Sequence, residues 1–202
     1  MNIVFDNNVS LVIDDSWQSL KTMPKDPPGT HVFGKATENC KCFIIAHPIS
    51  VQHTMPFGDP QKIINGVHAA LADEQALIEV KSGSTEMGKI VYSIIKTKKQ
   101  PSGVQYTLTM DMATKSGAVH IQGFFDEAGV TGRRDVIIYE LERRNGNVTK
   151  DFEGWMIDPY DSSFRRGMYL MNLSELEKYD SMFPQHPLSV ARAFIRSQGI
   201  LL

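Results

Sequence analysis

Between Ala76 and Phe125 four strand-length segments follow one another with only turn signals between them: Ala76–Lys81, Lys89–Lys98, Val104–Thr114 and Ala118–Phe125. The separators, Ser82–Gly88, Gln100-Pro-Ser-Gly103 and Lys115-Ser-Gly117, carry the glycine, proline and serine that turns use. Connections this short join antiparallel neighbours, because a parallel pair needs a crossover of a dozen or more residues. The third segment alternates most cleanly. Val104, Tyr106, Leu108, Met110 and Met112 take one face, and Gln105, Thr107, Thr109 and Asp111 take the other. Such a pattern predicts a sheet with one buried and one wet face.

The flanks add helices and a further hairpin. Asn2–Phe5 and Val9–Ile13 read as strands around Asp6-Asn7-Asn8, and His31–Ala36 and Lys41–His47 as two more. In the last of these both faces look covered, since Cys42, Ile44 and Ala46 alternate with Phe43 and Ile45. Asp59-Pro60 supplies an N-cap and a first-turn proline for a helix reaching about Glu74, with Ile63, Ile64, Val67 and Leu71 as its apolar stripe and His68 at the edge of that stripe. Thr131–Asn145 suits a helix capped near Thr131, with Ile137, Ile138 and Leu141 inward and Arg133, Glu140 and Arg144 outward, although its β-branched run also fits a strand. Beyond Asn147 the texture changes. Ser174-Glu-Leu-Glu177 has capping-box spacing for a short helix, and His186-Pro-Leu-Ser189 opens a last helix with Phe194 and Ile195 inward and Arg192 and Arg196 outward. The chain is therefore expected to be an α+β fold: a twisted antiparallel sheet with packed helices over residues 1–147, and a C-terminal arm with two helices over 148–202.

Composition excludes several classes of function. A net charge of −2 leaves no basic footprint for nucleic acid or an anionic membrane surface, and no apolar run approaches the ~20 residues that span a bilayer. The first residues lack a basic and an apolar signal region, which points to a cytoplasmic protein. Cys40 and Cys42 fall on one strand face, at the outer limit of disulfide reach, and read as small buried hydrophobes.

Candidate chemistry is sparse. His120 and Gln122 share a strand face in the fourth segment. With Gln105, Thr107, Thr109 and Asp111 they form a polar ledge able to hold a small polar ligand or a protein. A two-residue loop at Ser116-Gly117 would set Asp111 opposite Gln122 and Ala113 opposite His120. The pair Asp126-Glu127 invites acid–base or metal chemistry but is better read as a solvated turn. Arg133-Arg134-Asp135 could grip an anion, yet suits a solvated helix face. Asp158, Asp161 and His186 lack ligand spacing, so no metal or other cofactor is implied. No nucleophile elbow, phosphate loop or dinucleotide fingerprint is present.

The order of elements, hairpin, strands, one helix, antiparallel meander and closing helix, resembles the PsbP-like superfamily, the fold of the photosystem subunit and of the Ran-binding protein Mog. Gly123-Phe-Phe-Asp-Glu127, Thr131-Gly-Arg-Arg-Asp135 and Phe183-Pro-Gln-His-Pro-Leu-Ser189 are similar to stretches of a bacterial family without an assigned activity. The superfamily resemblance implies binding of proteins or small ligands. The expected function is a non-catalytic binding or adaptor module, using the ledge or the groove beside the arm. The alternatives are a small hydrolase or metal-dependent enzyme centred on His120 with Asp111 and Asp126, and a chaperone for apolar client segments.

Overall fold

A computed structural model describes residues 1–86, 88–165 and 169–200; Met87, within the Ser82–Gly88 turn, lies outside them. The centre is a seven-stranded antiparallel sheet. Its strands are β3 (Gln18–Leu20), β4 (His31–Ala36), β5 (Cys40–Ile49), β6 (Gln75–Ser84), β7 (Lys89–Lys98), β8 (Val104–Ala113) and β9 (Ala118–Glu127), and they lie side by side in the order β3-β4-β5-β9-β8-β7-β6. The opening hairpin, β1 (Asn2–Val4) and β2 (Ser10–Val12), is a separate two-stranded ribbon, as is the short pair β10 (Met156–Ile157) and β11 (Met171–Asn172).

Alternation decides which side is roofed. Tyr106, Leu108 and Met110 of β8 and Val119, Ile121 and Phe125 of β9 point to the inner face and are buried. Gly123 belongs to this face because the Phe125 ring lies over it: a Cβ there would sit 2.6 Å from the ring. Helix α3 (Pro187–Ser197) packs on this face through Leu188, Val190, Ala191, Phe194 and Ile195, together with Phe5, Leu11, Ile13 and Trp17. Gln198 fastens the hairpin to α3, donating to Val12 O and accepting from Val12 N, both at 2.9 Å. The core thus draws on both ends of the described chain.

The outer face is only partly covered. Helix α1 (Pro60–Ala70), capped by Asp59 accepting from Lys62 N at 3.0 Å, sets Ile63 and Ile64 against Leu77, Val80 and Val91 over β6 and β7. Over β5 it stays open. Cys42, Ile44 and Ala46 are buried, but Phe43 is exposed, so the expectation of two covered faces for this strand does not hold.

The inner face also buries charge. Glu79, Tyr92, Lys96 and Tyr106 point toward α3 and the arm. Glu175 accepts from Lys96 Nζ (2.8 Å), Tyr106 Oη (2.6 Å) and its own cap residue, the Asn172 amide (2.8 Å). Arg192 reaches Glu79 (2.8 Å) and Asp180 (3.2 Å), and Tyr92 donates to Glu79 at 2.6 Å. Burial pushes the Glu79 carboxyl up, but Arg192, Tyr92 and Lys81 outweigh it and hold Glu79 below the usual carboxylate range. The placement of Arg192 outward is therefore corrected: a helix that roofs a charged stripe needs a cation on its inner side. The capping box is likewise Asn172–Glu175, two residues earlier than Ser174–Glu177, and the segment forms two short 3-10 stretches, Leu173–Glu175 and Glu177–Met182. Among the described residues no helix is long and apolar enough to cross a membrane.

Deleting the Glu175 side chain strands a lysine and a tyrosine hydroxyl in the interior. Glu175→Ala is expected to lower stability in urea unfolding by about 3–5 kcal/mol, with Glu175→Gln recovering part of the loss.

Candidate functional site

The ledge exists as a face but not as an open site. In the observed register Gln105 pairs with Asp126, Thr107 with Phe124, Thr109 with Gln122 and Asp111 with His120, so all six expected residues share the outer side. Ala113 pairs with Ala118, leaving Thr114–Gly117 as the loop. The pairing of Asp111 with Gln122 is thus wrong by two positions, because the loop holds four residues rather than two.

Asp111 is buried. It accepts from His120 Nδ1 at 2.7 Å and, through its other oxygen, from the Met55 amide at 2.6 Å, pinning the segment before α1. His47 stands beside His120, their ring centroids 5.5 Å apart. Asp126 lies six residues further along β9, about 20 Å away, where it takes Lys99 (2.7 Å) and Gln105 (2.9 Å). An acid–base group of His120, Asp111 and Asp126 is not assembled. Phe124, opposite Thr107, stacks on Phe43 with centroids 4.9 Å apart, so the open part of this face is mixed rather than polar. Asp111→Ala should release the 50–57 segment, read as faster hydrogen exchange at the Met55 amide while the β8 amides stay protected.

A cleft of about 370 Å³ opens instead where helix α2 (Arg133–Arg144) meets the turn before α3. Its apolar walls include Val130, Ile137, Met182 and Phe183, and its polar groups include Glu127, Arg133, Arg134 and His186. Each is placed by a local device. Gly132, with a positive φ of 72°, is the N-cap of α2 in place of the expected Thr131, and its N–H donates to Glu127 at 2.7 Å. Burial pushes the Glu127 carboxyl up, against the Gly132 bond that favours its ionised form. His186 caps α3 by accepting from Leu188 N at 3.3 Å. Burial, reinforced by Arg134, Arg192 and Lys96, pulls its imidazole down to about 3, so it is neutral at physiological pH. An apolar cleft with a few converging polar groups, two of them desolvated, has the make-up of a small-ligand site. The cleft offers a desolvated carboxyl, a guanidinium and apolar walls, a set suited to an amphiphilic guest.

The way α2 sits explains the cleft. Its inward face is Arg134, Ile138 and Glu142; its outward face leaves Val136 65%, Ile137 41% and Leu141 37% exposed. The expected orientation, with Ile137 and Leu141 inward and Arg134 solvated, is reversed for both groups. Arg134 is 1% exposed and donates to Ser174 O (2.7 Å), Ser189 Oγ (2.9 Å) and Asp180 (3.1 Å), while Glu142 takes Asn147, Lys178 and the Tyr179 hydroxyl. Both inward charges are answered by residues five to 55 positions downstream, so a helical wheel alone could not orient the helix. The one available signal was the i, i+4, i+8 spacing of Arg134, Ile138 and Glu142.

Among the described residues no group of three or more His, Cys, Asp or Glu side chains could hold a metal ion. His68 pairs with Asp158 at 2.9 Å and stacks on Phe164, whereas His186 lies in the cleft and Asp161 is exposed. Cys40 and Cys42 are free and buried. No protein-family model matches the chain, and no curated protein matches it in sequence.

Because the His186 imidazole is depressed in the fold, its contribution to stability is complete above 6.5, its unfolded value, and is lost as pH falls toward about 3. The raised Glu127 and Asp135 carboxyls run the opposite way: their contribution is full below the ordinary carboxylate range and is lost as pH rises through their folded values. The difference between wild type and His186→Asn isolates the first effect. The Asn variant, still able to cap α3, should lose stability less steeply from pH 6.5 downward, by up to about 1.4 kcal/mol per pH unit in urea titrations.

Proposed function

We propose that the protein is a non-catalytic binding module whose contact surface is the groove formed by α2 and the arm. One observation carries this: α2 spends its inward face on charges that the arm neutralises and turns Val136, Ile137 and Leu141 to solvent, beside Val130 (73% exposed) and Met182 (52% exposed). A contiguous apolar strip next to a cleft with polar groups marks a contact surface more often than a bare surface. The guest this chemistry favours is an apolar protein segment or small molecule with a hydrogen-bonding or anionic end for Arg133. The resemblance in element order to the PsbP-like fold is in keeping with a binding role.

A second reading has one observation in its favour. Asp111 holds His120 through Nδ1 as a general base would be oriented, and the His120 side chain stays 27% exposed. Turnover in an esterase and phosphoesterase panel that disappears in His120→Ala would establish it.

The binding reading is tested by NMR with a fragment set of apolar carboxylic acids and neutral aromatics at amide resolution. Shifts should cluster at Val130, Ile137, Met182 and Phe183, and Ile137→Asp should weaken binding at least ~10-fold, about 1.4 kcal/mol. Shifts confined to Thr107, Thr109 and Gln122 would move the site to the ledge, and a silent spectrum would overturn the groove.

A further inference from the structure

We infer that α2 is a self-association surface: two copies of the chain pack their α2 helices antiparallel about a two-fold axis between Val136 and Ile137. This rests on the groove being a contact surface and names its occupant as a second copy. At 3.6 residues per turn Arg133, Ile137, Glu140 and Arg144 fall in one outward stripe, with Val136 on one flank and Leu141 on the other. A two-fold contact must be self-complementary, and the charges of this stripe select the register.

With the axis between Val136 and Ile137, residues whose numbers sum to 273 stand level. Arg133 then faces Glu140 of the second copy, and by symmetry the pair forms twice. Val136 and Ile137 close on their own counterparts between the two ion pairs. Moving the axis two residues along sets Arg133 against Arg144, like charge on like. Centring it on Glu142 pairs Glu140 with Arg144 but carries Val136 and Ile137 past the end of the facing helix. Only the first register joins opposite charges and covers the apolar pair. Glu140 is held within its own helix by Arg143 at 2.9 Å, an exposed pair that gives way at little cost.

A contact built on one helix is small, so the dimer should be reversible, with a dissociation constant on the order of 10–100 µM. Sedimentation velocity across that range tests it. Arg133→Glu and Glu140→Arg should each weaken association at least ~10-fold, and the two combined should restore it to within about threefold. Both side chains are at the surface, and unchanged amide spectra will verify folding. A wild type that stays monomeric throughout, single reversals without effect, or a double reversal that fails to restore would each overturn the dimer. Fragment binding is read separately on dilute wild type. Fragments in the cleft of a chain that never associates would sink the dimer and leave the binding module standing, whereas a cleft that stays empty while the α2 charge swap behaves as stated would confine the groove to self-association.

Discussion

The sheet carries Glu79 and Lys96 on the face it must bury. Neither can stay inside without an opposite charge in hydrogen-bonding contact, since an unpaired ion in the interior costs several kcal/mol. Arg192 and Glu175 answer them, and Asp180 and Arg134 in turn complete the shell. Lys81 and Asp135 close the set, which comes to four cations and four anions. A shell of this kind contributes less to net stability than oily side chains of equal volume could. What it fixes is geometry: the arm has one orientation in which Glu79, Lys96, Arg134 and Arg192 are all paired.

That orientation is why α2 presents its apolar face to water. Arg134 and Glu142 are held by the arm, and the helix has no further freedom to rotate. Ile138, with Tyr139 packed beside it, joins the small core of Val148, Trp155 and Tyr179 behind it. Exposure of Val136, Ile137 and Leu141 is thus the cost of satisfying two buried charges. The same constraint carves the cleft, because the Arg134 guanidinium also lies over Phe183, 5.8 Å from its ring, and sets that wall in place.

How much could be read from the chain depended on the range of the forces involved. The β6–β9 meander was legible because alternation and turn residues act between neighbours, and Lys89–Lys98 coincides with the expected strand. The α1 cap at Asp59-Pro60 was legible for the same reason, whereas the 131–145 segment, with its β-branched run, left helix and strand both open until its packing was seen. Arg192 and Arg134 were misplaced because charged side chains read as outward unless their partners are known, and those partners lie 12 to 113 residues away; Asp111 lies on the expected face but is buried there. The ledge residues do share a face, but alternation also puts Phe124 on it, and Phe43 joins it only because β5 lies beside β9. Of the cleft, Glu127, Arg133, Arg134 and His186 had each been read for another chemistry, and Ile137 as a core residue.

The distances along the chain within the charge shell bear on how the protein is made. Glu175 lies 79 residues after Lys96, and Arg192 lies 113 after Glu79. A ribosome delivers the strands long before the groups that neutralise them, so the nascent sheet waits with its ionic stripe hydrated and its oily half unroofed. Folding to completion is in this sense a late event, and helper proteins that hold such intermediates would meet this chain in the interval between β9 and α3.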